Sequence, residues 1–331
     1  MIARRASPWR QAIAALGLLG ALWGAAGVQA QPVTSDAACP PPLPSPTAEQ
    51  MSAAARQARD RGFLWRLSKD GRSAWLFGTI HVGRLDWIYP GPQLRAALTA
   101  ADTVALELDI TDPAIARQAA ELSRAPTGLP PLPAALRDRV ARQVAAACLP
   151  AQVLDGQHPV MQAMTLTVLA GRWDGLEAPF AQEMVLSGLA KAQAKPLVSL
   201  ESVALQMSVL IPADPAKAMA LTDHTLAQLE QGKARGMLAR LARIWEQGDL
   251  DELTHYERWC ECVDNDDDRA QLKQLNDDRN PQLAAGIDAL HAQGKLVFAA
   301  VGALHMVGAQ GLPQLMRQRG YSVERVSFAP N

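Results

Sequence analysis

A chain of 331 residues, 49% of them hydrophobic, is long enough to bury a sizeable core as one large domain or two small ones. With 32 basic against 33 acidic residues and no basic cluster after the N-terminus, it lacks the charge of a nucleic-acid binder. Aromatic residues at 5% also argue against a stacking platform for single strands.

The N-terminus reads as a targeting segment. Arg4, Arg5 and Arg10 precede an apolar run over 12–26, and Val28-Gln29-Ala30 supplies small residues for cleavage. This predicts a signal peptide over 1–30, a mature start near Gln31 and a periplasmic or secreted protein. An uncleaved anchor is disfavoured by the short apolar length, and no later run is long enough to span a bilayer. Residues 31–50, rich in Pro, Ala and Ser, read as a flexible leader, and 51–331 as a single domain.

A short helix is expected over 51–61. Runs at 63–67 and 73–77 flank Asp70-Gly71, a strong hairpin signal. The hairpin delivers the chain to Gly78-Thr79-Ile80-His81-Val82-Gly83, followed by a helix through 94–100 and a buried strand over 103–108. Asp112-Pro113 starts a helix with proline in its first position, and further helices are expected over 134–147, 159–170 and 180–194. A strand over 197–200 ends at Glu201, and 202–291 is almost all helical. The apolar run 296–301 then leads into Gly302-Ala303-Leu304-His305-Met306-Val307-Gly308, a helix over 311–319 and a strand over 321–327. One phrase of strand, glycine turn and histidine is thus used twice, around a long helical insert. The second glycine falls two residues after His81 but three after His305, so the pseudo-repeat is inexact. The fold class is a mixed α/β sheet surrounded by helices.

In an oxidising compartment Cys39, Cys148, Cys260 and Cys262 can form bridges. Cys260 and Cys262 joined to each other would close a strained ring, so two long-range bridges are expected, each linking one of that pair to Cys39 or Cys148. A thiolate metal site at Cys-x-Cys lacks a suitably spaced partner.

Ligands in open α/β sheets gather outside the carboxyl ends of the strands. Four strands here end in a residue able to bind a metal or move a proton: His81, Glu107, Glu201 and His305. Gly78 and Gly302, three residues before the histidines, let the backbone turn sharply enough to aim them inward. Two neutral imidazoles with one or two carboxylates suit a divalent metal, and Mn, Fe, Co and Zn are not distinguished. Plainer roles exist: a histidine held by hydrogen bonds, Glu107 paired with Arg279, Glu201 capping the helix that begins at Ser202. Asp264, Asp266 and Asp268 imitate an EF-hand start, but Arg269 and Leu275 stand where Gly and Glu are needed, leaving a solvated helix start. His158, His224, His255 and His291 lack metal spacing. No His-Glu-x-x-His, Gly-x-Ser-x-Gly or P-loop sequence occurs.

Leu64-Trp65, Phe77-Gly78-Thr79-Ile80-His81, Glu107-Leu108-Asp109, Leu200-Glu201, Arg279-Asn280, Val301-Gly302-Ala303-Leu304-His305 and Gly320-Tyr321-Ser322-Val323 together resemble the TraB/PrgY/GumN family, related to the Tiki metalloproteases. The resemblance covers roughly residues 62–327. It implies a fold similar to the erythromycin-esterase/ChaN type and metal-dependent peptide hydrolysis. It also implies His81 and His305 as the motif histidines, Glu107 as the acidic site residue, and Arg279 as the basic residue preceding Asn. Gly175-Leu176-Glu177 departs from the Gly-x-Asp that relatives often carry, which bears on substrate choice.

The expectation is an exported metallohydrolase acting on a peptide or small-molecule substrate. His81, His305 and Glu107 would hold the metal, Glu107 or Glu201 would serve as base, and Arg279 would stabilise an oxyanion. The alternative is a non-catalytic protein that binds or sequesters a peptide or metal in the same cleft. An esterase is suggested by fold analogy alone.

Overall fold

The computed structural model describes residues 39–43 and 45–328. The expected signal segment over 1–30, and residues 31–38 and 44 of the expected leader, lie outside the described residues. The first helix among the described residues, Ala48–Arg56, begins inside the expected leader, where Thr47 and Gln50 close a capping box. Among the described residues no helix is long and apolar enough to cross a membrane.

The hairpin forms as expected from β1 (Phe63–Lys69) and β2 (Arg72–Thr79). Asp70 and Gly71 have φ of 52° and 72°, the double left-handed turn that matches strand twist in a two-residue hairpin. The sheet is completed by β3 (Thr103–Leu106), β4 (Leu197–Ser199), β5 (Val297–Gly302) and β6 (Ser322–Val326), in the order β4-β3-β5-β2-β1-β6. Strands β4, β3, β5 and β2 are mutually parallel, while β1 is antiparallel to β2 and β6 to β1. Every residue of β3 and β5 is buried, which is why both read as unbroken apolar runs.

β2 and β5 are neighbours, with Gly78 opposite Val301 and Thr79 opposite Gly302. The two glycine–histidine phrases therefore lie side by side on one rim of the sheet. Gly83 is needed there by close approach: a Cβ at Gly83 would lie 2.0 Å from the Phe180 carbonyl oxygen. Its backbone pairs with that of Glu177 in an isolated bridge. The expected helix over 180–194 splits for the same reason. A short 3-10 turn, Ala178–Phe180, precedes extended Ala181, and the α-helix runs Gln182–Ala192.

Most of the core lies on the sheet and includes Phe63, Phe77, Leu106, Phe298 and Trp245. A smaller cluster of Val140, Val144, Leu154, Ala163, Leu166 and Leu226 lies inside the helical insert. Asp112 caps its helix with proline at the first position, as expected, and Asp214 does the same at the helix Pro215–Glu230.

The cysteines pair differently from expectation. The bridges are Cys39–Cys148 and Cys260–Cys262, not two long-range links from the Cys-x-Cys pair. Glu261 adopts φ 53°, and this left-handed residue folds the chain back until the Cys260 and Cys262 Cα atoms are 5.1 Å apart, within disulfide range. The expectation assumed an ordinary backbone between them. Cys39 and Cys148 have Cα atoms 5.7 Å apart, which leaves neither for the other pair.

Trp245 ties the insert to the sheet. Its ring packs 5.0 Å from that of Trp87, and its Nε1–H donates to the Gly78 carbonyl at 2.8 Å. Trp245→Phe keeps most of the packing but removes this hydrogen bond to a carbonyl that also sits in the ladder opposite Phe63. Urea unfolding of the variant is expected to show a loss of about 0.5–1.5 kcal/mol.

Candidate functional site

The carboxyl ends of the four parallel strands converge on one cluster. His81 follows β2, Glu107 follows β3, Glu201 follows β4, and His305 lies in the 3-10 turn Ala303–Met306 after β5. The parallel register brings them level, since Leu106 pairs with both Ala300 and Ser199. The Glu201 amide donates to the Glu107 carbonyl at 3.1 Å, extending that alignment past the strands.

Arg279 sits at the centre. Its Nη2 donates to Glu107 Oε2 at 2.6 Å and also to Glu201 Oε2, while its Nε donates to Glu201 Oε1 at 3.0 Å. Nη1 donates to the Leu275 carbonyl at 2.8 Å and lies 3.3 Å from His305 Nε2. The Gln206 amide bridges the two carboxylates, at 3.2 Å from each. The second Glu107 oxygen, Oε1, accepts from the Gly302 amide at 2.7 Å. All three charged side chains are close to fully buried: Arg279 at 11%, Glu107 at 9% and Glu201 at 0% exposure. The plainer role open to Glu201, capping the next helix, is filled by Ser202, and Glu201 is an Arg279 partner.

Each imidazole is held from behind. His305 Nδ1 lies 2.6 Å from Asn280 Oδ1, and the same amide donates through Nδ2 to the Gln310 carbonyl at 2.8 Å. Asn280 Oδ1 is thus the acceptor, His305 carries its proton on Nδ1, and Nε2 offers a lone pair. His81 Nδ1 lies 3.0 Å from Glu183 Oε1, an oxygen that also accepts from the Thr79 hydroxyl. Glu183 Oε2 is buried with no hydrogen-bond partner.

These contacts set the protonation states. Burial lowers the His305 pKa to about 4, Arg279 adding to the effect and Glu107 opposing it. Burial works against the charge on Glu107, but His305, His81, Arg279 and the Gly302 amide outweigh it and hold its pKa at about 2. Glu183 is the main cause raising the His81 pKa to about 9, with Glu107 also contributing. The His81 side chain is 69% exposed, so solvent screens this pair and it adds little to stability.

The donors can be tested against a divalent metal. A Cβ on Gly302 would lie 3.2 Å from Glu107 Oε1, 3.6 Å from His81 Nε2 and 3.5 Å from His305 Cδ2. Only a glycine leaves that small space open, and two imidazoles and a carboxylate face it. With both Nδ1 atoms engaged behind, the donor chemistry fits a first-row ion or zinc. Among the described residues, the group of three donors whose ligand atoms all lie within 4.8 Å of one another is a different one, His224, Asp264 and Asp268.

Other expected features fall outside the cluster. The Gly78 carbonyl takes Trp245, and a Cβ at Gly78 would press 3.3 Å from Ala303 Cα, so this glycine lets the two phrases approach. Asp109 accepts from the Thr111 amide at 3.0 Å in a local turn. Glu177 is buried, with Oε1 3.8 Å from Arg172 Nε, and touches none of the four strand-end residues. Glu183, Gln206 and Asn280 were missed as site residues. Asn280 was legible beside Arg279, whereas Glu183 and Gln206 sit in ordinary helical runs and carry no local signal.

A sequence model of the TraB/PrgY/gumN family matches residues 63–325. The chain is 28% identical over 268 residues to "Uncharacterized protein YbaP" of Shigella flexneri, covering 74% of this chain and 88% of that protein. It is also 28% identical over 264 residues to the protein of the same description from Escherichia coli K12, covering 73% and 87%. No solved structure matches.

Arg279→Met would strand two buried carboxylates without a cation. A loss of about 3–5 kcal/mol is expected at pH 7 by urea unfolding, shrinking in acid as the carboxylates protonate. Acid should also weaken the metal-free wild type. His305 has its folded pKa depressed to about 4, so the unfolded chain takes up its proton first as the pH falls from about 6.5. The stabilisation from Glu107, present above its ordinary pKa of 4.5, is lost as the pH falls toward about 2. Urea midpoints in His305→Gln should lack the portion of this decline between about pH 6.5 and 4.

Proposed function

The chain belongs to the TraB/PrgY/gumN family, and from that premise we propose that it is an exported, metal-dependent hydrolase of peptide bonds. One observation carries the reading: both imidazoles have Nδ1 engaged by an outer acceptor, while the space above Gly302 is faced by them and by Glu107. His81, His305 and Glu107 would hold a divalent metal, with Mn, Fe, Co and Zn all chemically suited. When bound, the metal would supply an activated water and polarise the scissile carbonyl.

The chain's own residues have separate tasks in this reading. Glu183 and Asn280 engage Nδ1 of each ring, so that Nε2 is the nitrogen that would bind a metal, His305 Nε2 giving up its contact with Arg279. One Arg279 Nη1–H lies against His305 Nε2, and if a metal took that nitrogen this N–H would be the donor available to stabilise the oxyanion that develops on the carbonyl. Glu201, whose oxygens are occupied by Arg279 and Gln206, holds the guanidinium in place. Glu183 Oε2, buried and without a partner, is the carboxylate oxygen free to take a proton, and we assign it that role in preference to Glu201. The buried Glu177, longer by a methylene than the usual Asp, is positioned by Arg172 away from this chemistry.

A second reading is a non-catalytic protein that binds a peptide in the same cleft. It is favoured by the Arg279 contact to His305 Nε2 at 3.3 Å, which satisfies the cluster with a side-chain cation.

Elemental analysis of untagged protein loaded with Zn2+ and dialysed should show the metal content falling by one equivalent in the His81→Ala, His305→Ala double variant. Unchanged content would sink the metal assignment. Incubation of the loaded wild type with a diverse peptide library, read by mass spectrometry, should give cleavage products, and binding without cleavage would favour the second reading. Arg279→Lys is expected to slow cleavage by about 10²–10³-fold, and Glu183→Gln by about 10²–10⁴-fold.

A further inference from the structure

We propose that a second divalent-cation site lies between the helix Pro215–Glu230 and the start of the helix Asp266–Leu275, with His224, Asp264 and Asp268 as its ligands. One ligand atom from each lies within 4.8 Å of the other two. Donors bound to one first-row ion at about 2 Å lie roughly 3–4 Å from each other. Side chains that are half-buried or exposed, as these are, can close the remaining distance by torsion alone.

The placement is built by two elements distant in sequence. Asp268 Oδ2 accepts from the Asp264 and Asn265 amides, at 2.9 and 3.2 Å, as part of the capping box that starts its helix. This leaves its other oxygen for a ligand. His224 projects from the opposing helix, where the Gln228 amide lies 3.0 Å from His224 Nε2 and also donates to the Glu261 carbonyl at 3.0 Å. The His224 Nε2 lone pair thus accepts from Gln228 in the metal-free protein, and an ion bound through that nitrogen would take the place of this one hydrogen bond, leaving Gln228 its bond to the Glu261 carbonyl.

Charge points the same way. Among the described residues neither Asp264 nor Asp268 is in an ion pair, although basic side chains such as Arg269 and Lys273 stand on the same helix. Two carboxylates brought together with an imidazole and no basic partner form a cation's ligand set: oxygen donors with one borderline nitrogen. The failure of the EF-hand pattern at Arg269 and Leu275 does not bear on this site, because its third donor comes from another helix.

The site would brace the main cluster. The helix Asp266–Leu275 contacts the helix Val203–Leu210 through Gln271 Nε2, which donates to the Val209 carbonyl at 3.1 Å. Its last residue, Leu275, provides the carbonyl that takes Arg279 Nη1. A cation at His224, Asp264 and Asp268 pins the start of the helix whose end positions Arg279.

The test is calorimetric titration of the untagged, disulfide-intact full chain with Zn2+. In the His81→Ala, His305→Ala background, one equivalent of Zn2+ should still bind. Adding His224→Ala, or separately Asp264→Asn, should weaken that binding at least tenfold. Both residues are half-buried or exposed, and Asp264→Asn keeps the backbone amide that Asp268 accepts from, so circular dichroism and melting of the variants should match the background. A background that binds no Zn2+, or one whose binding is indifferent to both substitutions, overturns the site and leaves the strand-end reading standing. Zn2+ binding lost with His224→Ala and untouched by the histidine pair gives the converse result.

Discussion

The structure of the candidate site depends on one guanidinium. Glu107 and Glu201 follow parallel strands and are themselves buried, where a carboxylate is costly to charge without a partner. Arg279 supplies that partner for both, with planar donors that match two carboxylates in a way that a lysine's point charge would not. One cation against two carboxylates leaves the cluster short of positive charge, and Glu183 behind His81 deepens the deficit. A protonated His81 or a bound divalent ion would compensate it, and the two exclude each other at the same imidazole.

The second constraint is closeness of approach between two stretches of backbone. β2 and β5 are parallel neighbours, so their glycine–histidine turns leave the sheet side by side. Glycine at 302 leaves open the space that the imidazoles and Glu107 face, and glycine at 83 lets the chain run against the Phe180 carbonyl. The backbone bridge between Gly83 and Glu177 in turn orders the segment before the helix that carries Glu183. The hydrogen bonds behind His81 therefore depend on a contact made in the turn beyond it.

Much of the fold could be read from local pattern. The Asp-Gly hairpin, the apolar strands at 103–106 and 297–302, and the Asp-Pro helix starts follow from rules acting over a few residues. His81, Glu107, Glu201 and His305, read from the repeated glycine–histidine phrase and the strand ends, lie on one rim of the sheet around Arg279. Local pattern failed where a partner comes from far along the chain. Glu183 and Gln206 lie in unremarked helical runs and acquire their roles by touching strand ends about a hundred residues earlier. The cysteine pairing failed for a subtler reason: a single left-handed residue, Glu261, reverses the chain between two cysteines that were judged too close to join.

By itself the sequence determined the mixed α/β class, the two glycine–histidine turns and the residue types available for chemistry, because secondary structure and turn geometry are largely local properties of the chain. Tertiary structure alone decided that the two turns are adjacent, that Arg279 stands between two carboxylates, and that each imidazole presents Nε2. Those outcomes follow from strand order and from which groups must share a buried charge. Neither is set until distant segments pack against one another.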